Sequence, residues 1–325
     1  MTSSTHAKPT HRHEHYNETL STLSEGSVHR RFDPFLDIAW DDPSFVIEPD
    51  DERWILPTAD PFGAHPWYRA LPREQQIRIG MWRQANIAKV GLQFENILIR
   101  GLMQYVFTLP NGSPEFRYST HEAAEECNHT QMFQEVVNRI GMDVPGMSRT
   151  TRALAPIIPL VPILFPTWFF VMVLAGEEPI DHGQKAILRS DTEMHPMITR
   201  VMQIHVAEEA RHISFAHEYV EHHAPTLAPI SRFALSLLTP ITMRVALWLI
   251  AVPPRRFRRE FDVPRAVFKD VYWRSPESRQ ALTDFFADVR MLTTNAGLMN
   301  PLARLLWKIL RIDGRPARYR SQPAT

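Results

Sequence analysis

The chain has 325 residues, 44% of them apolar, with 36 basic and 36 acidic side chains and a formal charge of zero. That length and apolar share suit one large helical domain or two ordinary ones, each with a substantial core. The even charge gives no electrostatic reason to expect nucleic acid. The single cysteine, Cys127, excludes an intramolecular disulfide framework and fits a reducing cytoplasm.

Residues 1–30 are polar, with His6, His11, His13 and His15 scattered among hydroxyl and charged residues. Between a metal-gathering tail and a solvated disordered one, the composition favours the second. No charged start followed by an apolar stretch marks a secretory signal, so a cytoplasmic location is expected. Residues 31–71 are rich in proline, aspartate and aromatics, including Trp40, Trp54 and Trp67, and sustain no period. They read as an irregular arm that packs on the core.

Pro72 opens a long helix that runs through Glu95 to about Phe107 and stops at Leu109-Pro110-Asn111-Gly112. A second helix is predicted from about Pro114 to Ile140, closed by Gly141. Residues 153–176 are apolar enough to raise a membrane question, but Pro156, Pro159, Pro162 and Pro166 interrupt the first half. A buried helix entered through an irregular loop is expected instead. Thr167–Ala175 then leads into Gly176-Glu177-Glu178-Pro179, a carboxylate pair at the end of an apolar helix. Such a pair is costly unless a cation or a metal compensates it.

Pro196 starts the next helix, to about His223. Residues 225–252 are apolar, with Pro240 expected to kink them, and Arg255-Arg256-Phe257-Arg258-Arg259 follows as a basic cluster. Further helices are expected between about 264 and 312, and a disordered tail over 313–325. No alternating strand pattern occurs, so residues 72–312 are expected to form one all-α domain.

The chemistry concentrates on the helix after Pro196. At about 100° per residue, His205, Glu209 and His212 fall on one stripe. Glu209-Ala210-Arg211-His212 has the same spacing as Glu126-Cys127-Asn128-His129, 83 residues upstream. Two Glu-x-x-His motifs, with one carboxylate from each of two further helices, form a dinuclear carboxylate site in a ferritin-like bundle. Glu95 and one of Glu177 or Glu178 are the further carboxylates; spacing alone does not choose between the last two. Glu208 lies close enough to the stripe to compete with Glu209, which is preferred because it completes the motif. Glu122 and Glu125 flank Glu126 as supporting acids or surface charges. Glu125, Glu208 and Asp191 are candidates to orient the ligand imidazoles.

Four carboxylates balance two ferrous ions, and neutral imidazoles fill remaining positions without excess charge. A zinc hydrolase would use about three ligands on one ion and often His-Glu-x-x-His, which is absent. No nucleophile elbow, P-loop or dinucleotide fingerprint appears.

These residues, with Gly80-Met81-Trp82 at the head of the first long helix, resemble the AurF-type p-aminobenzoate N-oxygenases. These are ferritin-like di-iron enzymes that oxidise aryl amines toward hydroxylamine, nitroso or nitro products. The resemblance spans roughly residues 60–225, and His205, a third histidine one turn before the last Glu-x-x-His, is its most specific position. It implies a ferritin-like helical bundle with peripheral helices, two iron ions and dioxygen as co-substrate. Its register selects Glu178 over Glu177. It places Glu95 and His129 on one iron, Glu178, His205 and His212 on the other, and Glu126 and Glu209 as bridges. It also implies N-oxygenation of a small amine and a homodimer.

No reductase segment is visible, so electrons are expected from a separate donor. Two alternatives stand beside this reading. The greasy stretches and the Arg255–Arg259 cluster fit a hydroxylase or desaturase acting on a lipid or carrier-bound acyl chain, in contact with a membrane or an acidic carrier. A non-catalytic ferritin-like iron-binding protein is the other.

Overall fold

In the computed structural model, residues 9–317 are described; residues 1–8 and 318–325, with His6 among them, lie outside. Nine helices matter below. They are α1 (Pro9–His29), α2 (Arg73–Phe107), α3 (Pro114–Ile140), α4 (Arg149–Leu154), α5 (Pro166–Leu188), α6 (Pro196–His223), α7 (Pro229–Ala251), α8 (Arg255–Glu260) and α9 (Pro301–Ile309). No strand occurs among the described residues. The fold is all-α and ferritin-like: α2 pairs with α3, α5 pairs with α6, and α3 meets α6 across the bundle.

Proline sets many of the helix starts. It stands in the first turn of α3, α5, α6, α7 and α9, where a missing N–H costs nothing. Gly141 ends α3 at φ +71, the left-handed cap that an L side chain resists. One boundary differs from expectation. The carboxylate pair Glu177-Glu178 is not at a helix end, because α5 continues through Pro179 to Leu188. The proline only removes the N–H that would reach the Ala175 carbonyl, and packing on both sides carries the helix past that gap.

The N-terminal segment corrects the sequence reading. Residues 9–29 form a helix, not a disordered tail, and it packs on α3 and α6. Tyr16 and Leu20 are buried in the main core with Tyr118, Phe215 and Tyr219, and the Tyr16 ring stacks on His222 at 4.2 Å between centroids. The inward stripe continues through Ser24 and Ser27, both buried. Half of it is therefore hydroxyl, and a hydropathy pattern does not register it. At the other end, residues 313–317 fold back: Ala317 N–H donates to the Ala287 carbonyl and Arg290 donates to the Arg315 carbonyl. The remainder of the expected tail lies outside the described residues.

The arm from residue 31 to 71 is built of short turns that bury Trp40, Trp54, Phe62 and Tyr68. It presses on α2 at Gly80, where a Cβ would sit 1.8 Å from the Trp54 carbonyl oxygen. Only glycine allows that approach.

Leu20→Ala is expected to lower stability by about 2–4 kcal/mol in a urea titration, as for a buried leucine. A change near zero would mean that the segment is a solvated tail.

Candidate metal centre

Each of the four central helices brings carboxylate or imidazole groups to one buried point. Glu95 comes from α2, Glu126 and His129 from α3, Glu177 from α5, and His205, Glu209 and His212 from α6. None of the seven is more than 2% exposed. Three groups of ligand atoms each lie within 4.8 Å of one another: Glu95, His129, His205 and Glu209; Glu126, Glu209 and His212; Glu95, Glu126 and Glu177. Glu95, Glu126 and Glu209 each belong to two of the groups, as bridging carboxylates would.

Two features differ from the sequence expectation. Glu178 is not in the cluster: its carboxylate turns away and accepts a hydrogen bond from His217 Nε2 at 2.5 Å. Its neighbour Glu177 takes the place, with both oxygens buried and without a hydrogen-bond partner. Successive helical residues point about 100° apart, so one residue of the pair faces the site while the other faces α6. Gly176 lets α5 come close here, since a Cβ would meet the Phe94 ring at 2.0 Å. In addition, His205 groups with Glu95 and His129 rather than with His212.

The imidazoles are held from behind. His129 turns Nδ1 toward Glu126 at 3.0 Å, while its Nε2 faces Glu208 at 2.9 Å. His212 turns Nδ1 toward Glu126 at 2.8 Å, while its Nε2 faces Glu125 at 2.7 Å. His205 turns Nε2 toward Glu209 at 3.3 Å, while its Nδ1 faces Gln184 at 2.9 Å. An outer N–H donated to a carboxylate or amide oxygen leaves the inner nitrogen's lone pair for an ion. Arg211 donates to Glu125 at 2.9 Å and approaches Glu208 at 3.6 Å, tying the two outer acids together. The chain after α1 closes this layer: Phe32 N–H donates to Glu208, and Arg211 donates to the Arg30 carbonyl.

Glu125 and Glu208 thus orient the imidazoles, whereas Asp191 is exposed and does not. A signal for the arrangement was present in the sequence. Both motifs read Glu-Glu-x-x-His, Glu125-Glu126-x-x-His129 and Glu208-Glu209-x-x-His212. The first glutamate of each motif holds the histidine of the other. Glu122, one turn before Glu126, is fully buried rather than a surface charge, and neither of its oxygens has a partner.

The electrostatics follow from this crowding. Burial, then the adjacent Glu126, pushes the Glu95 carboxyl well above its ordinary range. Burial and the neighbouring Glu209 and Glu126 do the same to Glu177. Burial pulls His205 down to about 4, so it stays neutral. Burial also opposes charge on His129 and His212, but Glu126 and other carboxylates beside them raise both.

The donor set fits two divalent cations. Glu95 Oε2 and both oxygens of Glu177 are buried with no hydrogen-bond partner. Glu126 Oε1, both oxygens of Glu209, His205 Nε2 and His212 Nδ1 face only one another, Glu95 and His129, without a hydrogen bond to any group outside the cluster. Unpartnered buried carboxylates are costly, and cations bound among them remove that cost. Mixed carboxylate and imidazole ligation suits iron or manganese better than a closed zinc site.

The p-aminobenzoate N-oxygenase AurF family matches this chain over residues 13–297. The chain belongs to that family. Uncharacterized proteins of Mycobacterium tuberculosis and Mycobacterium bovis are each 60% identical over 308 residues, covering 95% of this chain and 91% of theirs. Membership makes this chain part of a di-iron oxygenase family. Where the family match begins, at residue 13, α1 is already under way.

A cavity of about 440 Å³ borders the Glu95 and His205 side of the cluster. Its wall is mostly apolar, with Ile87, Phe133, Met202, Leu247, Ile250 and Tyr272 among its residues. The one arginine on the wall, Arg83, is buried and held by Asp60 at 2.5 Å and by the Tyr272 hydroxyl at 3.0 Å.

Glu177→Ala is expected to lose at least half of the bound metal, whereas Glu178→Ala retains it; elemental analysis of the purified variants distinguishes them. The raised carboxyls and imidazoles hold protons in the metal-free protein, and ions must displace them. Metal affinity should therefore be highest at alkaline pH and fall as pH drops through those raised values. Calorimetric loading in two buffers of different ionisation enthalpy should report protons released. No release would contradict the assigned shifts.

Proposed function

We propose that this protein is a di-iron oxygenase that uses dioxygen to oxidise the nitrogen of a neutral, apolar aryl amine. The observation that carries the reading is the apolar cavity at Glu95 and His205, next to a buried set of donors that fits two ions. A cavity of about 440 Å³ suits a one- or two-ring molecule. Bound iron would supply the electrons and the activated oxygen; the chain's residues do the rest. Glu95, Glu126, His129, Glu177, His205, Glu209 and His212 would hold the ions. Glu125, Glu208 and Gln184 fix the imidazole orientations, and the apolar wall keeps bulk water from the reacting nitrogen.

The family is described by its action on p-aminobenzoate, and a carboxylate needs a cation or several donors to leave water. Arg83 is already neutralised by Asp60, so the cavity favours an uncharged ring. An external donor would supply electrons. The greasy segments favour a second reading, oxidation of an acyl chain at carbon, and a third is iron binding without turnover.

The test is oxygen uptake and product analysis by the reduced, iron-loaded protein with neutral anilines and with p-aminobenzoate. Hydroxylamine, nitroso or nitro products should form, with kcat/KM at least about tenfold higher for neutral amines, roughly 1.4 kcal/mol. Oxygen uptake with no oxidised amine would contradict the proposal and favour the iron-binding reading. Hydroxylated or desaturated acyl products would favour carbon chemistry.

A further inference from the structure

Three segments carry an asymmetry that the metal centre does not use. Residues 144–176, 222–259 and 289–312 together contain twelve arginines and lysines and no aspartate or glutamate. The chain as a whole is neutral, so the acids have been moved elsewhere. The same segments supply fourteen of the twenty-two large hydrophobic side chains that are exposed among the described residues. Hydrophobic exposure and the absence of acids therefore coincide.

On α7 the exposed side chains recur at helical spacing, at Ile230, Phe233, Ile241, Val245 and Trp248, while Leu235, Met243 and Leu247 are buried. Along α9, Leu302, Leu305 and Ile309 are exposed, while Ala303 and Trp307 are buried. Leu154 at the end of α4, and Ile157, Leu160, Ile163, Leu164 and Phe165 on the turns that follow it, are exposed. These elements adjoin. Asn300, which caps α9, donates to Ser236 of α7 at 2.6 Å, and Trp168 donates to Thr242 of α7 at 3.0 Å. A nearly wholly apolar cavity of about 300 Å³ lies between α7 and the turns after α4, with Ile158, Trp168, Ile241 and Val245 on its wall. Ile250 borders both this cavity and the one at Glu95.

What covers such a face is decided by charge and by depth. Acids from outside these segments reach Arg256, which pairs with Asp143 at 2.9 Å and Glu260 at 3.4 Å. The other cations keep the face basic, so pairing with a second copy through a twofold axis would set like charges against each other. Crossing a bilayer does not fit either. The stretch Pro229–Glu260 is apolar enough to span, but a third of its most apolar window is buried inside the protein, where α7 packs on α5 and α9. An anionic bilayer surface satisfies both features. The apolar stripe enters the boundary between headgroups and acyl chains, and exposed Arg232, Arg255, Arg259, Arg304 and Lys308 reach lipid phosphates.

We propose that the face formed by α7, α9 and the turns after α4 docks on an anionic lipid surface and lies in its interface without crossing it. The inference is independent of the oxygenase reading, since no metal donor takes part in it. If both hold, a neutral amine dissolved in the bilayer meets the apolar cavity at this face.

Co-sedimentation of the full-length protein with phosphatidylcholine vesicles, with and without phosphatidylglycerol and at low and high salt, tests the proposal. Binding is expected with the anionic vesicles, weakened by high salt and by at least about tenfold in the double variant Phe233→Glu, Trp248→Glu. Both side chains are about half exposed, and circular dichroism and metal content would verify that the variant folds. Arg255→Glu with Arg259→Glu should remove the preference for anionic lipid. Three results would overturn the proposal: no sedimentation with either vesicle, equal binding to both, or salt-sensitive binding to an acidic acyl carrier protein without vesicle binding. A lipid-independent dimer in analytical ultracentrifugation that Phe233→Glu abolishes would likewise assign the face to a second copy.

Discussion

Buried negative charge is the constraint on which the rest of this structure depends. Glu95, Glu126, Glu177 and Glu209 converge among four helices with no more than 2% exposure. Isolated carboxylates do not stay ionised in such a place. Arg211 is engaged by the outer acids Glu125 and Glu208, and Arg83, on the wall of the adjoining cavity, by Asp60. Compensation must come from protons when the site is bare and from cations when it is filled. The long, proline-started helices and the glycine contact at Gly176 make a frame stiff enough to hold that charge together.

Around this cluster the two Glu-Glu-x-x-His motifs act reciprocally. α3 holds the histidine of α6 through Glu125, and α6 holds the histidine of α3 through Glu208. The pairing explains why the N-terminal helix and the turn after it belong to the functional unit. Residues 30–32 cover the outer carboxylates with backbone contacts to Arg211, Glu208 and Asn128. A loose N-terminus would admit water to the acids that position the ligands, and a hydrated layer would weaken their hold.

Much of this was legible in the sequence. The repeated Glu-x-x-His spacing, the extra His205 and the helix starts at Pro114 and Pro196 all pointed to the bundle and to six of the seven gathered donors. What was not legible has physical reasons. Helix α1 hides because its inward stripe passes from Tyr16 and Leu20 to Ser24 and Ser27. Glu177 and Glu178 are adjacent, so only the rotation of α5 about its axis chooses between them, and that rotation is set by packing at Gly176 and Phe94. Family register pointed to Glu178; the contact with His217 instead gives that residue a separate partner. Asp191 has the charge to orient an imidazole but lies exposed between α5 and α6, with no helix to aim it.

The central claim is that the converged donors hold two metal ions between α2, α3, α5 and α6. Diffraction data collected on both sides of the iron absorption edge, from crystals of iron-loaded protein, test it most directly. The account predicts two anomalous peaks inside the bundle, bridged by Glu209, with Glu177 in contact and Glu178 still on His217. One peak, a peak on Glu178, or iron held only by surface histidines would contradict it.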